Sequence, residues 1–185
     1  MISDLTLPTG ETVKLVFLRK WPNVGDMIYL QSIRSGRLNE GSDIATSYRN
    51  MACFYARLLA DEVHDKTKFD AVVSPPSTRA DAIVYRESIL ESISPNSNVP
   101  DLSGGFSRKE RAKAASASSL EEIVNEFAYK ADGHEAAIES LLIVDDSIAS
   151  GKTIAAMLHH LRKAGLPLDC MITVAVPAWL NDGSS

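Results

Sequence analysis

The chain has 185 residues and a mass of 20.1 kDa, enough for one hydrophobic core and too little for two domains of ordinary size. With 45% hydrophobic and 23% charged residues it is neither a low-complexity polymer nor a collagen. A formal net charge of -5 and a pI near 5.4 exclude a surface built chiefly to coat phosphate backbones.

The only cysteines, Cys53 and Cys170, form no C-x-x-C pair. Neither stands at zinc-ligand spacing from His64, His134, His159 or His160, so they read as reduced thiols of a cytoplasmic protein. Asp4 stands where a secretory leader carries positive charge, and no apolar run follows it. The longest apolar stretch, Met171 to Leu180, is interrupted by Pro177 and is about half the roughly 20 residues of a membrane helix. The expectation is a soluble single domain over residues 1–185.

In chain order, Thr12 to Leu18 is rich in branched and aromatic residues and ends at Trp21-Pro22-Asn23, which predicts a short edge strand. Ile44, Tyr48, Met51, Tyr55 and Leu58 recur at helical spacing behind Asp43, predicting a long amphipathic helix from Asp43 to His64. Phe69 to Ser74 is a β-type run that stops at Pro75-Pro76, and Arg79 to Ile93 suits another helix. Ser94 to Gly105 reads as loop, with at most a short strand around Val99 to Leu102. Ser107 to Ser119 is basic and then rich in Ala and Ser, and Ser119-Leu120-Glu121-Glu122 has the form of a capping box opening a helix through Phe127.

The clearest unit is last. Leu141 to Val144 is a fully apolar strand; Ile154, Met157, Leu158 and Leu161 follow at helical spacing with Gly165 as the stop, and Leu168 to Val176 supplies a further strand. Apolar strands alternating with helices predict an α/β fold, a doubly wound parallel sheet flanked by helices.

In such sheets ligands bind beyond the carboxyl ends of the strands, where loops lead into helix N-termini. Two loops qualify. The first is Asp145-Asp146-Ser147-Ile148-Ala149-Ser150-Gly151-Lys152-Thr153. Its turn can wrap a phosphate monoester with backbone N–H groups and the Ser150 and Thr153 hydroxyls, while Gly151 permits close approach. The acids suit a sugar diol or a hydrated divalent metal instead. Blandly read, Asp146 and Ser150 only cap the helix. A P-loop reading through Gly151-Lys152-Thr153 fails because it requires glycine where Asp146 stands. The second loop, Ser74-Pro75-Pro76-Ser77-Thr78-Arg79, can offer backbone amides and a guanidinium to pyrophosphate, or simply leave a strand and cap a helix.

The first loop resembles the phosphoribosyl pyrophosphate signature of type I phosphoribosyltransferases: an apolar strand, two acids, two variable residues and a T/S-rich G-x-T turn. The resemblance spans about Asp43 to Val176, and the basic Phe106 to Lys113 with Glu126-Phe127 looks like the branch related to competence protein F. It implies transfer of the 5-phosphoribosyl group from phosphoribosyl pyrophosphate to a nitrogen nucleophile, with Mg2+ as cofactor. Under that resemblance Asp145, Asp146 and Arg111 are the catalytic residues, and Asp145 and Asp146 hold the metal through water. Ser147 to Thr153 bind the 5-phosphate, and Ser77, Thr78, Arg79, Arg108 and Lys109 face the pyrophosphate. Gly104 to Ser118 would be a lid hinged at Gly104-Gly105, residues 1–42 a hood or an edge extension, and Trp179 a platform for the acceptor base. In hypoxanthine-guanine members an acid stands where this chain has Ala149. The partners implied are phosphoribosyl pyrophosphate and an unidentified acceptor or nucleotide, with a homodimer as the assembly. The competing reading is a non-catalytic module that senses the same ligand on the same fold.

Overall fold

The structure, a computed structural model, describes residues 1–20, 23, 43–64, 68–76, 87, 89–91, 99–109 and 119–180. Its centre is a mixed, mainly parallel sheet. The strands are β1 (Ile2–Thr6), β2 (Thr12–Lys20), β3 (Ala71–Val73), β6 (Ser140–Val144), β7 (Ser147–Ile148) and β8 (Met171–Trp179). They lie in the order β1-β2-β8-β6-β3, with β7 also on β8; β1 is antiparallel to β2 and all other pairings are parallel. A separate antiparallel pair joins β4 (Phe106–Arg108) to β5 (Phe127–Tyr129). The helices are α1 (Asp43–His64), α2 (Leu120–Glu126) and α3 (Lys152–Lys163).

Strand alternation sorts the core into two layers. Leu15, Phe17, Leu141, Ile143, Val174 and Val176 turn to the face covered by α3 and the β4–β5 pair, whereas Val16, Leu142, Val144 and Ala175 meet Leu59, Ala60 and Val63 of α1. Helices on both faces explain why β6 is buried throughout, and they make the fold doubly wound α/β as the sequence predicts. On α3, Ile154, Met157, Leu158 and Leu161 are each at most 2% exposed. Burying a side chain of that size contributes about 1.5–3 kcal/mol. The helix ends on Gly165 at φ 113°, whose N–H bonds Arg162 O while that of Leu166 bonds Leu161 O, both at 3.0 Å. This pairing is a Schellman stop.

Three expectations change. The Thr12–Lys20 strand is interior, because β1 covers it; Leu5 is the only buried residue of β1, too weak a periodic signal to read. Over residues 53–63 the buried stripe of α1 runs through Tyr55, Ala56, Leu59, Ala60 and Val63, so that Tyr55 is buried as read while Leu58 is exposed. Gly104-Gly105 belongs to a 3-10 turn rather than a hinge: a Cβ on Gly105 would stand 2.7 Å from the Tyr129 ring and 2.8 Å from Lys130 O. The remainder of the proposed lid, residues 110–118, lies outside the described residues, as do most of 79–93 and 21–42 apart from Asn23. The capping box forms as read, with Ser119 Oγ accepting from Glu122 N at 3.1 Å and Glu122 Oε2 accepting from Ser119 N at 2.9 Å. The helix it opens stops at Glu126 because Phe127 enters β5.

One buried charge ties the β5–β6 connection. Glu135 is fully buried and accepts from Tyr129 Oη at 2.7 Å, Asp132 N at 3.1 Å and Gly133 N at 3.0 Å. Burial alone would raise its pKa, but the hydrogen bonds from Tyr129 and the backbone outweigh that and hold the carboxyl below its ordinary 4.5; burial and the same carboxylate push the Tyr129 phenol up. Glu135→Ala strands three donors and should lower the unfolding free energy by about 2–3 kcal/mol in urea titrations. Because the folded pKa is depressed, the carboxylate's contribution is full above pH 4.5 and is lost as the pH falls through the folded value. Glu135→Gln should therefore flatten part of the acid limb of the stability curve, and an unchanged limb would refute this account.

Candidate functional site

Adjacent parallel strands whose next segments go to opposite faces leave a crevice at their carboxyl ends. β6 and β3 are such neighbours: α3, after β6, packs on one face, and Ile89, after β3, packs on the other. Since Val73 pairs with Ile143, Ser74 emerges beside Val144, one residue before the acid pair. Both loops named from the sequence thus leave the sheet at the same place. Ser74 is pinned there: its N–H donates to Ser103 Oγ at 2.8 Å and the two hydroxyls lie 3.1 Å apart. Ser103 is itself set by its N–H to Asp101 Oδ1 at 2.9 Å. The Asp-x-Ser spacing of an Asx turn was the available signal for this residue.

The acid pair sits at a break in the ladder. Val144 is opposite Ala175 and Ser147 opposite Ala178, and Asp145 N–H donates to Ala175 O at 3.1 Å. In that register the next β8 donor facing Asp145 is residue 177, and proline has none. Beyond the break the strands keep their register, Ser147 opposite Ala178 and Ile148 opposite Trp179, but the bonding alternation changes, with Leu180 N–H donating to Ile148 O at 2.7 Å. Freed from regular pairing, the acids turn into their own loop. Asp145 Oδ1 accepts Asp146 N–H at 2.7 Å, and Asp146 Oδ1 accepts the Ser147 hydroxyl at 2.8 Å. Both carboxylates are half-buried.

The turn that follows ends on Gly151, at φ 70° and ψ 5°, which is the N-cap of α3 and offers no side-chain cap. Neither Asp146 nor Ser150 occupies the cap position, so the simple capping role read from the sequence is not the one the fold uses. Ala149 and Ser150 are exposed, Lys152 and Thr153 half-buried. Ile148 is 3% exposed and belongs to the core, so only its backbone can serve a ligand. The space a Cβ on Gly151 would take is filled by Leu7 Cδ2, 2.9 Å away. Glycine is demanded there by its φ and by Leu7 of the β1–β2 turn, which Arg162 also braces through Glu11 at 2.7 Å.

Of the basic residues, Arg108 is engaged elsewhere: its Nε lies 3.1 Å from Glu126 Oε2 and its guanidinium 5.3 Å from the centre of the Phe127 ring. Lys109 is exposed, and its N–H bonds Glu126 O at 2.9 Å. Ser77, Thr78, Arg79 and Arg111 lie outside the described residues. Trp179 is not an open platform: it is 8% exposed, edge-on to Phe17 at 5.1 Å, with Lys20 Nζ 4.0 Å from its ring centre. It belongs to the same core layer as Val174 and Val176. A recess of about 720 Å3 lies elsewhere, at the amino ends of β2 and β8 among Ile2, Val16, Leu168 and Met171. It contains none of the acid-pair residues.

The conformation of Gly151 yields a direct test. Gly151→Ala combines a left-handed backbone with a clash and should cost about 2–3 kcal/mol, whereas Gly133→Ala, at φ 90° with open space around it, should cost about 1–2. Equal losses in denaturant titration would mean that Leu7 does not fix the turn.

No family model matches the chain. A search of curated proteins also finds no match. Among solved structures the chain is similar to an orotate phosphoribosyltransferase of Mycobacterium tuberculosis H37Rv, in complex with Fe(III) dicitrate, at 11% identity and a TM-score of 0.40, covering 98% of this chain and 88% of that one. It is also similar to an orotate phosphoribosyltransferase of Francisella tularensis at 11% identity and a TM-score of 0.38, covering 100% of this chain and 81% of that one.

Proposed function

We propose that the chain binds 5-phosphoribosyl pyrophosphate at the loop between β6 and α3 and transfers its 5-phosphoribosyl group to a nitrogen nucleophile, releasing pyrophosphate. The observation that carries this reading is the pairing of two half-buried acids with a glycine-capped start of a 12-residue helix at the carboxyl end of a central strand. Amides and hydroxyls from Ser147 to Thr153 bind the 5-phosphate, which presents acceptors to the positive end of the helix. Asp145 and Asp146 accept hydrogen bonds from the ribose diol.

As the bond to the leaving group breaks, the ribose ring acquires oxocarbenium character, and negative charge on its hydroxyl side stabilises it. Binding energy from the distant 5-phosphate orients the sugar without touching the reacting bond. The acids supply hard oxygen donors suited to Mg2+. We propose that such a cation is held largely by ligand and water oxygens beside Asp145 and Asp146. Mg2+ would supply charge neutralisation of the departing pyrophosphate. Ser77, Thr78, Arg79, Lys109 and Arg111 complete the proposed anion-binding set, and Arg108 joins it only by leaving Glu126. Among the described residues no helix is long and apolar enough to cross a membrane, and we place the reaction in the cytoplasm.

Calorimetry with Mg-phosphoribosyl pyrophosphate and with ribose 5-phosphate tests the site. Heat is expected with both, and Asp145→Asn with Asp146→Asn should weaken each by tenfold or more, about 1.4 kcal/mol, while leaving the melting temperature within a few degrees. Folded protein that binds neither compound would sink the proposal. Isotope exchange between pyrophosphate and phosphoribosyl pyrophosphate, run with a panel of bases, separates an enzyme from a sensor. Exposed Ala149 has no proton to exchange with a purine ring, so hypoxanthine and guanine should be poor acceptors, and efficient inosine monophosphate formation would overturn that selectivity.

A further inference from the structure

Lys20, which no sequence motif singles out, ends β2 and is paired in register with Trp179, the last residue of β8. Trp179 is in turn paired with Ile148 of the acid-pair loop. With strands about 4.8 Å apart, this places the Lys20 backbone roughly 10 Å from that of Ile148, at the same carboxyl end of the sheet. The ammonium is exposed yet held over the Trp179 ring, 4.0 Å from its centre, and among the described residues no carboxylate pairs with it. Arg108 offers a contrast, since Glu126 already neutralises it. Any ligand bearing several phosphates beside two aspartates needs a nearby cation that is not already spoken for.

Resting on the function proposed above, we infer that Lys20 is a pyrophosphate-binding residue at the same carboxyl end of the sheet as the acid-pair loop, held over Trp179 until the anion arrives. Contact between an exposed ammonium and an aromatic face is weak beside a charge-assisted hydrogen bond to phosphate, so the exchange of partners favours the ligand. The indole records the exchange. Trp179 Nε1 is buried without a hydrogen-bond partner and the ring is enclosed by Phe17 and Lys20, so departure of the ammonium changes the ring's surroundings.

The probes are inorganic pyrophosphate and ribose 5-phosphate, added separately to the full chain carrying Trp21→Phe, in which Trp179 is the sole tryptophan. Pyrophosphate should shift the Trp179 emission. Lys20→Met should weaken pyrophosphate binding by about tenfold or more in calorimetry while leaving ribose 5-phosphate binding within about twofold. Lys20→Arg should restore most of the pyrophosphate affinity. Lys14→Met, an equal loss of charge at a residue paired with Asp4 at 2.8 Å near the other end of β2, serves as the control and should change neither affinity. Pyrophosphate affinity unchanged by Lys20→Met, equally reduced by Lys14→Met, or absent from the folded wild type would overturn the inference. Loss of ribose 5-phosphate binding alone would instead count against the reading of the acid-pair loop and leave the Lys20 assignment standing.

Discussion

A proline in the central strand governs the geometry of the candidate site. β8 is paired on both sides, where an absent amide is ordinarily intolerable, yet Pro177 is accommodated because its missing donor falls where β6 gives way to β7. Regular pairing on either side of the gap fixes the position of Asp145 and Asp146, while the gap itself releases them from the pleat. A residue with an N–H at 177 would extend the ladder through Asp145 and draw the acids into strand geometry. Across the same gap β8 keeps its register with both neighbours while its side-chain alternation changes, and Trp179 joins the layer of Val174 and Val176, beside Phe17 and Lys20.

Behind the loop, the supports are apolar and distant in sequence. Leu7 fills the space beside Gly151, and Arg162 returns from the far end of α3 to Glu11, so the turn between β1 and β2 is gripped at two points by one helix. Such bracing suits a phosphate-binding turn. Its amides bind well only if their directions are set before the ligand arrives, because ordering them on binding would consume part of the affinity. Ser103 plays the equivalent part for Ser74 across the crevice.

How much of this was legible follows from the range of the interactions. The bounds of α1, the capping box at Ser119, the buried face of α3 and the Gly165 stop depend on neighbours within a turn or two, and all could be read directly. The interior position of β2, by contrast, depends on a strand whose five residues include only one buried side chain. The β4–β5 pair joins segments about 20 residues apart, and neither contains more than three strand residues. The acid pair was recognisable as a motif, but not the reason for its shape, because Asp145 and Pro177 are brought together only by the parallel register. The ion pair of Arg108 was hidden for the same reason: its partner, Glu126, is 18 residues away.

The helix start itself shows why local chemistry and function diverge here. A helix of 12 residues gains from a Ser or Asp cap, typically about 1 kcal/mol, and Asp146, Ser147 and Ser150 all lie within five residues of the N-cap position, Gly151. None is at the cap. Ser147 is instead turned back onto Asp146, and Asp145 onto the amide of Asp146, so the nearby oxygens serve one another while a left-handed glycine takes the terminal place. A capping carboxylate would occupy the positive end of α3 and repel the phosphate of the proposed ligand. Forgoing the cap lowers stability slightly and leaves the backbone amides open to the phosphate of the proposed ligand, with the two acids set back from them for its sugar.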